Sequence, residues 1–377
     1  MTSSESPWID VKRSSPELGY QRDLSSVEQK FSWQAMFACQ IGIRPFEERL
    51  KLKWGFSPAF LLEEALDRQK LFVESQLSNN PIDGQIEGRT LSLRCVCIPD
   101  KGLQLGLIAK VLAETQEQAY TVAQNYWREL ASIFPYDYTI QPAIRVEEFQ
   151  QLTGKELLNK CNGQNSIAQI RRFESPVRTT KGIFRILGLW HTEMRSDEQI
   201  WRALAGYQHE LLLNITIRPT ILYEGERRAL LKMKQSAETP DNSQVNEPYL
   251  QHYEAWIASF IDRHTSPWNR YFYLQVHLAS PVAIDEYIFR NIGSTITREN
   301  PDVPSPGYQV IYPLDKGNAA EWCKHLNYLD IIQTNNSFLL PRLSELASSE
   351  EAHAVFRLPF PPETGLPNTK FLRVGEG

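Results

Sequence analysis

The sequence lacks every compact signature of nucleotide chemistry. A phosphate-binding loop needs closely spaced glycines ahead of a lysine and a hydroxyl, so that backbone N–H groups can reach the phosphates, and no such string occurs. The nearest echo, Thr153-Gly154-Lys155-Glu156, has no upstream glycine and sets a carboxylate where the hydroxyl belongs. It reads instead as a helix capping box between Thr153 and Glu156. Paired zinc ligands of the Cys-x-x-Cys or His-x-x-x-His kind are missing, as is the Gly-x-Ser-x-Gly elbow of hydrolases. The seven histidines are scattered, which leaves catalysis only to a site assembled from distant residues. No cofactor is expected.

Cysteine is scarce too: five residues, an odd number at irregular spacing, suit a reducing compartment rather than a disulfide framework. Cys95 and Cys97 alternate with the chain on the same side as Leu91 and Leu93 and read as core. No run approaches the ~18 apolar residues of a membrane helix. The opening Met-Thr-Ser-Ser-Glu-Ser-Pro has neither a charged nor an apolar leader region. No membrane contact and a cytoplasmic location are therefore expected. The net charge of -5 gives no overall basic footprint, so any contact with nucleic acid is expected to be indirect.

What the chain does have is bulk. Of its 377 residues 42% are hydrophobic, with nine tryptophans and fifteen tyrosines, an investment that disordered chains do not make. Residues 1–30 are polar and read as a flexible arm. Phe37, Cys39, Ile41 and Ile43 share one side of a strand. Ser57-Pro58 then starts a helix running to about residue 73. A hairpin follows, 89–98 and 103–112, closed by Pro99-Asp100-Lys101-Gly102. Thr115 and Gln118 make a capping box for a helix to about residue 133, and a strand covers 138–145.

The pattern then repeats. A strand at 183–191 precedes a helix capped by Ser196 and Gln199, and Leu211, Leu213, Ile215 and Ile217 alternate on the next strand. A charged helix spans 224–235, 237–247 is a polar surface loop, and a further helix covers 249–262. A strand at 272–278 is followed by a helix opened by Ser280-Pro281, a strand at 307–312 and a helix after Asp315. The fold expected is α+β, two ferredoxin-like α/β sandwich units with mixed or antiparallel sheets, each covered on one face by helices. The units are placed at 31–160 and 161–335, with a short helix and extended tail at 336–377.

Arg227, Arg228 and Lys232 on the charged helix are candidate phosphate contacts, as is the pair Arg171 and Arg172. The competing reading of the helix is a solvated face balanced by Glu224 and Glu226 in its first turn.

In the tail, Ser348 and Glu351 form a capping box for a short helix with Ala352, Val355 and Phe356 on one side. Pro359 ends it, and Phe360-Pro361-Pro362 and Gly365-Leu366-Pro367 keep the chain extended. Val355, Phe356, Arg357, Leu358, Phe360 and Leu366 are candidates for docking on a protein partner. The alternative is that the segment folds back on its own sheet.

The stretch from Ser348 to Val374, with Phe356-Arg357-Leu358-Pro359 at its centre, resembles the approach to the motor core in HerA-type and conjugation (type IV secretion)-type DNA-translocating ATPases. The resemblance implies an N-terminal, non-catalytic module without its ATPase domain. Such an accessory or assembly subunit acts with a separately encoded HerA-like ATPase in DNA processing, secretion or defence, with that ATPase or further copies of itself as partner. No catalytic position of the family can be matched onto these residues. Two other readings stand beside it: a structural scaffold protein of a larger particle, and a hydrolase with a dispersed active site.

Overall fold

A computed structural model describes residues 6–14, 32–44, 58–78, 88–179, 182–192, 197–222, 224–238, 270–298, 307–332, 343–360 and 370–372. The first half runs β1 (Asp10–Arg13), β2 (Trp33–Ile43), α1 (Pro58–Ser78), β3 (Thr90–Ile98), β4 (Gly102–Ala113), α2 (Gln116–Ile133), β5 (Tyr138–Pro142), α3 (Val146–Thr153) and α4 (Lys155–Lys160). The second half continues with β6 (Ile167–Arg172), β7 (Glu174–Thr179), β8 (Gly182–Leu187), β9 (Leu189–Trp190), α5 (Asp197–Ala205), β10 (Leu211–Thr220) and α6 (Glu224–Glu238). It ends with β11 (Tyr271–Ala279), α7 (Glu286–Ile296), β12 (Thr297–Arg298), β13 (Tyr308–Ile311), α8 (Lys316–Tyr328), β14 (Leu346–Ala347) and α9 (Ser349–Val355).

The fold is α+β with antiparallel pairing. The main sheet runs β1-β2-β4-β3-β10-β11-β6-β13, with β5 also on β2 and β14 on β11. In the first half, the strands β2, β3, β4 and β5 stand in the order fourth, first, third, second. In the second half β6, β10, β11 and β13 repeat that order in reverse, with α5 and α7 in the places of α1 and α2. The halves join where β3 pairs with β10. That ladder runs from Leu211↔Cys97 to Ile217↔Leu91, and Asn214↔Arg94 is its central pair, so a local two-fold axis passes between Arg94 and Asn214.

One continuous sheet replaces the two separate sheets expected, and helices cover both of its faces. Odd-numbered residues of β3 and β10, with Phe37, Cys39, Leu274 and Val276, form one core with α1, α2, α5, α7 and α9. The opposite face carries α3, α4 and α8 through Phe149, Leu152, Leu157, Trp322 and Leu326. Burial on both sides explains why every residue of β10 is buried.

Local signals explain several elements. The capping box of Thr115 and Gln118 opens α2 as expected, and that of Ser348 and Glu351 opens α9. In the β3–β4 turn Asp100 has φ 61 and Gly102 φ 137. A Cβ on Gly102 would also lie 2.3 Å from the Lys370 carbonyl oxygen, so only glycine fits there.

Other expectations give way. Thr153 does not open a helix: it ends α3, and Gly154 follows in the left-handed region with φ 62. The helix expected at Ser280-Pro281 starts instead at Glu286; Ser280 Oγ donates to the Glu210 carbonyl at 2.7 Å and accepts from the Val282 N–H at 3.4 Å. Asp10–Arg13, placed in the arm, pair with β2. The helix expected at 249–262 and most of the loop at 237–247 lie outside the described residues.

Candidate functional site

The sheet face under α3, α4 and α8 is the chemically distinctive part of the molecule. Its strands place Ser92, Arg94, Asn214, Thr216, Gln275, His277, Gln169 and Arg171 there, all buried. Buried polar groups of this kind persist only when hydrogen-bonded, and most of these are.

Arg94 is 0% exposed. Its Nε donates to Asn214 Oδ1 at 2.8 Å, Nη1 to the Thr153 carbonyl at 2.5 Å and Nη2 to the Leu326 carbonyl at 2.8 Å. Thr153 ends α3 and Leu326 lies in the last turn of α8, where its carbonyl also accepts from the Leu329 N–H at 3.3 Å and the helix dipole is negative. One guanidinium therefore closes the C-termini of two helices, one from each half. Burial brings its pKa down to about 9, which leaves it charged at neutral pH. Asn214 Oδ1 also accepts from Ser92 Oγ at 2.6 Å, and its amide donates to Thr216 Oγ1 at 2.8 Å.

Nearby, Lys110 Nζ meets Asp330 Oδ1 at 2.6 Å, and His325 Nδ1 lies 3.4 Å from Asp330 Oδ2. Burial alone would raise the Asp330 pKa, but the Lys110 charge and the His325 and Lys110 hydrogen bonds reverse this, and it falls below its ordinary value.

A second set of buried side chains grips the C-terminal segment that follows α8. Gln275 holds Ile332 by both backbone groups, Nε2 to the carbonyl at 2.6 Å and Oε1 from the N–H at 3.0 Å. Gln69 on α1 accepts from the Leu358 N–H at 2.9 Å, and Gln40 donates to the Leu372 carbonyl at 2.8 Å. Arg172 donates to Glu351 at 2.9 Å and to the Leu346 carbonyl at 2.7 Å. Arg171 donates to Ser344 Oγ. The chain thus passes from β11, where β14 pairs, across α1, and returns beside β4 through Leu103 and Phe371.

The sequence-predicted docking residues therefore sit as follows. Val355, Phe356 and Leu358 are buried in the main core of their own chain, where α9 packs on α1. Arg357 and Phe360 are half-buried, and Leu366 lies outside the described residues. Arg171 and Arg172 are likewise interior, with no face for phosphate. On α6, Arg228 is exposed and pairs with Glu224 at 3.1 Å, Lys232 is exposed and Arg227 half-buried. The structure does not bring these three near the polar face.

Sequence reasoning missed Arg94, Asn214, Gln275 and His277. The available signal was the polar residue at every second position of otherwise apolar strands, which marks a second buried face as well as it marks a wet one. Among the described residues no group of three or more His, Cys, Asp or Glu stands together to hold a metal ion, and no helix is long and apolar enough to cross a membrane. All five cysteines are buried thiols. Compared with protein-family models and with curated proteins, the chain matches none.

Proposed function

We propose that the chain is a non-enzymatic accessory or assembly module working beside a separately encoded HerA-like, DNA-translocating ATPase, and that each half is a ferredoxin-like unit. The βαββαβ order of each half supports the fold reading. The resemblance of residues 348–374 to the approach to such a motor supports the functional one.

The observation that carries the proposal is how the C-terminal segment after α8 is held. It is anchored by Gln275 and Arg172 in the second half and by Gln69 and Gln40 in the first. A load on this end is delivered to both halves through buried hydrogen bonds, which is what a rigid adaptor between a motor and its substrate machinery needs. Of the polar residues on the sheet face under α3, α4 and α8, Arg94, Asn214, Gln275 and Arg171 are engaged as clamps. Contact with DNA is indirect in this reading, through the motor.

Purification of the tagged full chain from its native host tests it. The expected result is co-elution of a P-loop polypeptide whose ATP hydrolysis depends on DNA. Recovery of the chain only with copies of itself would overturn the motor assignment in favour of a particle scaffold. ATP turnover by the homogeneous chain alone would overturn the non-enzymatic one.

A further inference from the structure

His277 and Gln169 face each other in register across β11 and β6, on the polar face beneath α8. His277 is 1% exposed and Gln169 0%. Both ring nitrogens of His277 and Oε1 of Gln169 have no hydrogen-bond partner within the protein. An unmade hydrogen bond at a buried polar atom costs about 1–3 kcal/mol, so three such atoms together are an unstable arrangement for a dry interior.

Rearrangement of neighbours does not satisfy them. Flipping the Gln169 amide would turn its oxygen toward Glu345 Oε1, which now accepts from Gln169 Nε2 at 3.2 Å, and would set two acceptors together. On the other side of His277 stands Asn214, whose amide is already bound to Ser92, Arg94 and Thr216. Above it the Trp322 ring meets the imidazole edge-on, with centroids 6.0 Å apart.

We infer that a sealed hydration site lies between β6, β11 and α8, holding at least two structural water molecules on His277 and Gln169. A neutral imidazole carries one donor and one acceptor nitrogen. These point away from each other, so a single water cannot serve both. One water donates to Gln169 Oε1 and to the acceptor nitrogen of His277; the second accepts from its N–H. Water suits the site because both side chains are almost fully buried and a polar, enclosed cluster of this kind is where buried waters are held. Burial, reinforced by the neighbouring Arg94 charge, keeps the imidazole neutral, which preserves the acceptor.

A high-resolution crystal structure of the full chain should show solvent density within hydrogen-bonding distance of both ring nitrogens and of Gln169 Oε1. Density that is absent, or that belongs to another side chain of the protein, would overturn the inference. Thermal melts of His277→Leu and His277→Gln give an independent reading. At a wet site the glutamine variant keeps an anchor for the waters and melts above the leucine variant. At a dry site the order reverses, because leucine removes two of the three orphaned atoms and adds none.

Discussion

Replacing Arg94 by methionine removes the one cation that closes both α3 and α8 while keeping most of its apolar volume. The Thr153 carbonyl loses its charged donor and the Leu326 carbonyl is left with the Leu329 N–H alone; each hydrogen bond to a charged group lost here is worth about 1.5–3 kcal/mol. Asn214 loses one partner but keeps Ser92. Relief of the arginine's own desolvation offsets part of this, since a buried ion carries a penalty of several kcal/mol. The expected net loss is about 2–4 kcal/mol. It would be read as a lower urea midpoint at unchanged m, followed by circular dichroism. Amide exchange supplies the specific readout: the last turns of α3 and α8 should both lose protection, although they lie in different halves. If Arg94→Met equals the parent in stability, or if only one of the two helices loosens, the shared-cap reasoning is wrong.

Acid should destabilise the fold through two histidines. Burial lowers His277 to about 3 and His353 to about 4, so the unfolded chain takes up their protons first. Their contribution is complete above the unfolded value of about 6.5 and falls by about 1.4 kcal/mol per pH unit for each histidine as pH drops toward the folded values. Urea midpoints at neutral pH and at mildly acidic pH check this, and a flat profile would contradict it. Gly154→Ala forces a Cβ into a left-handed position 2.5 Å from Leu212 Cδ1; it should cost about 1–2 kcal/mol by thermal melting. Removing residues 348–377 takes Ala352, Val355, Phe356 and Leu358 out of the core. The truncated chain should therefore bind hydrophobic dyes and melt early, and a stable, cooperative truncation would count against the core role. Gln69→Leu should speed amide exchange at Leu358 while leaving Ile332 protected.

The parts of the fold that were legible have local causes. The β3–β4 hairpin is written in its turn residues, and α2 in its capping box and apolar stripe. What stayed hidden depends on residues far apart in the chain. Ile167–Arg172 ends in two arginines and resembles a surface segment, yet Arg171 and Arg172 are buried because their partners arrive more than 170 residues later. The serine at 280 has the chemistry of a helix cap and accepts from the Val282 N–H, but its hydroxyl also ties it to Glu210, 70 residues away, and the helix begins only at Glu286. The second helical layer was missed for a similar reason. Polar residues such as Arg94 and Asn214 on alternate strand positions signal solvent unless the helix termini they bind are already known. For the C-terminal stretch the sequence left two directions open, outward to a partner or back onto its own sheet, because apolar residues held extended by prolines suit either. The burial of Val355, Phe356 and Leu358 favours the second.

The unlike pair on the local two-fold axis has a consequence for how such a molecule can be built. Two identical subunits meeting at this seam would place the same side chain twice at the crossing point. A pair of guanidinium groups there would repel, and a pair of carboxamides would carry no positive charge to answer the negative ends of the two converging helices. Joining both halves in one polypeptide removes the requirement of equality, so a single charge can sit off-centre and serve both sides.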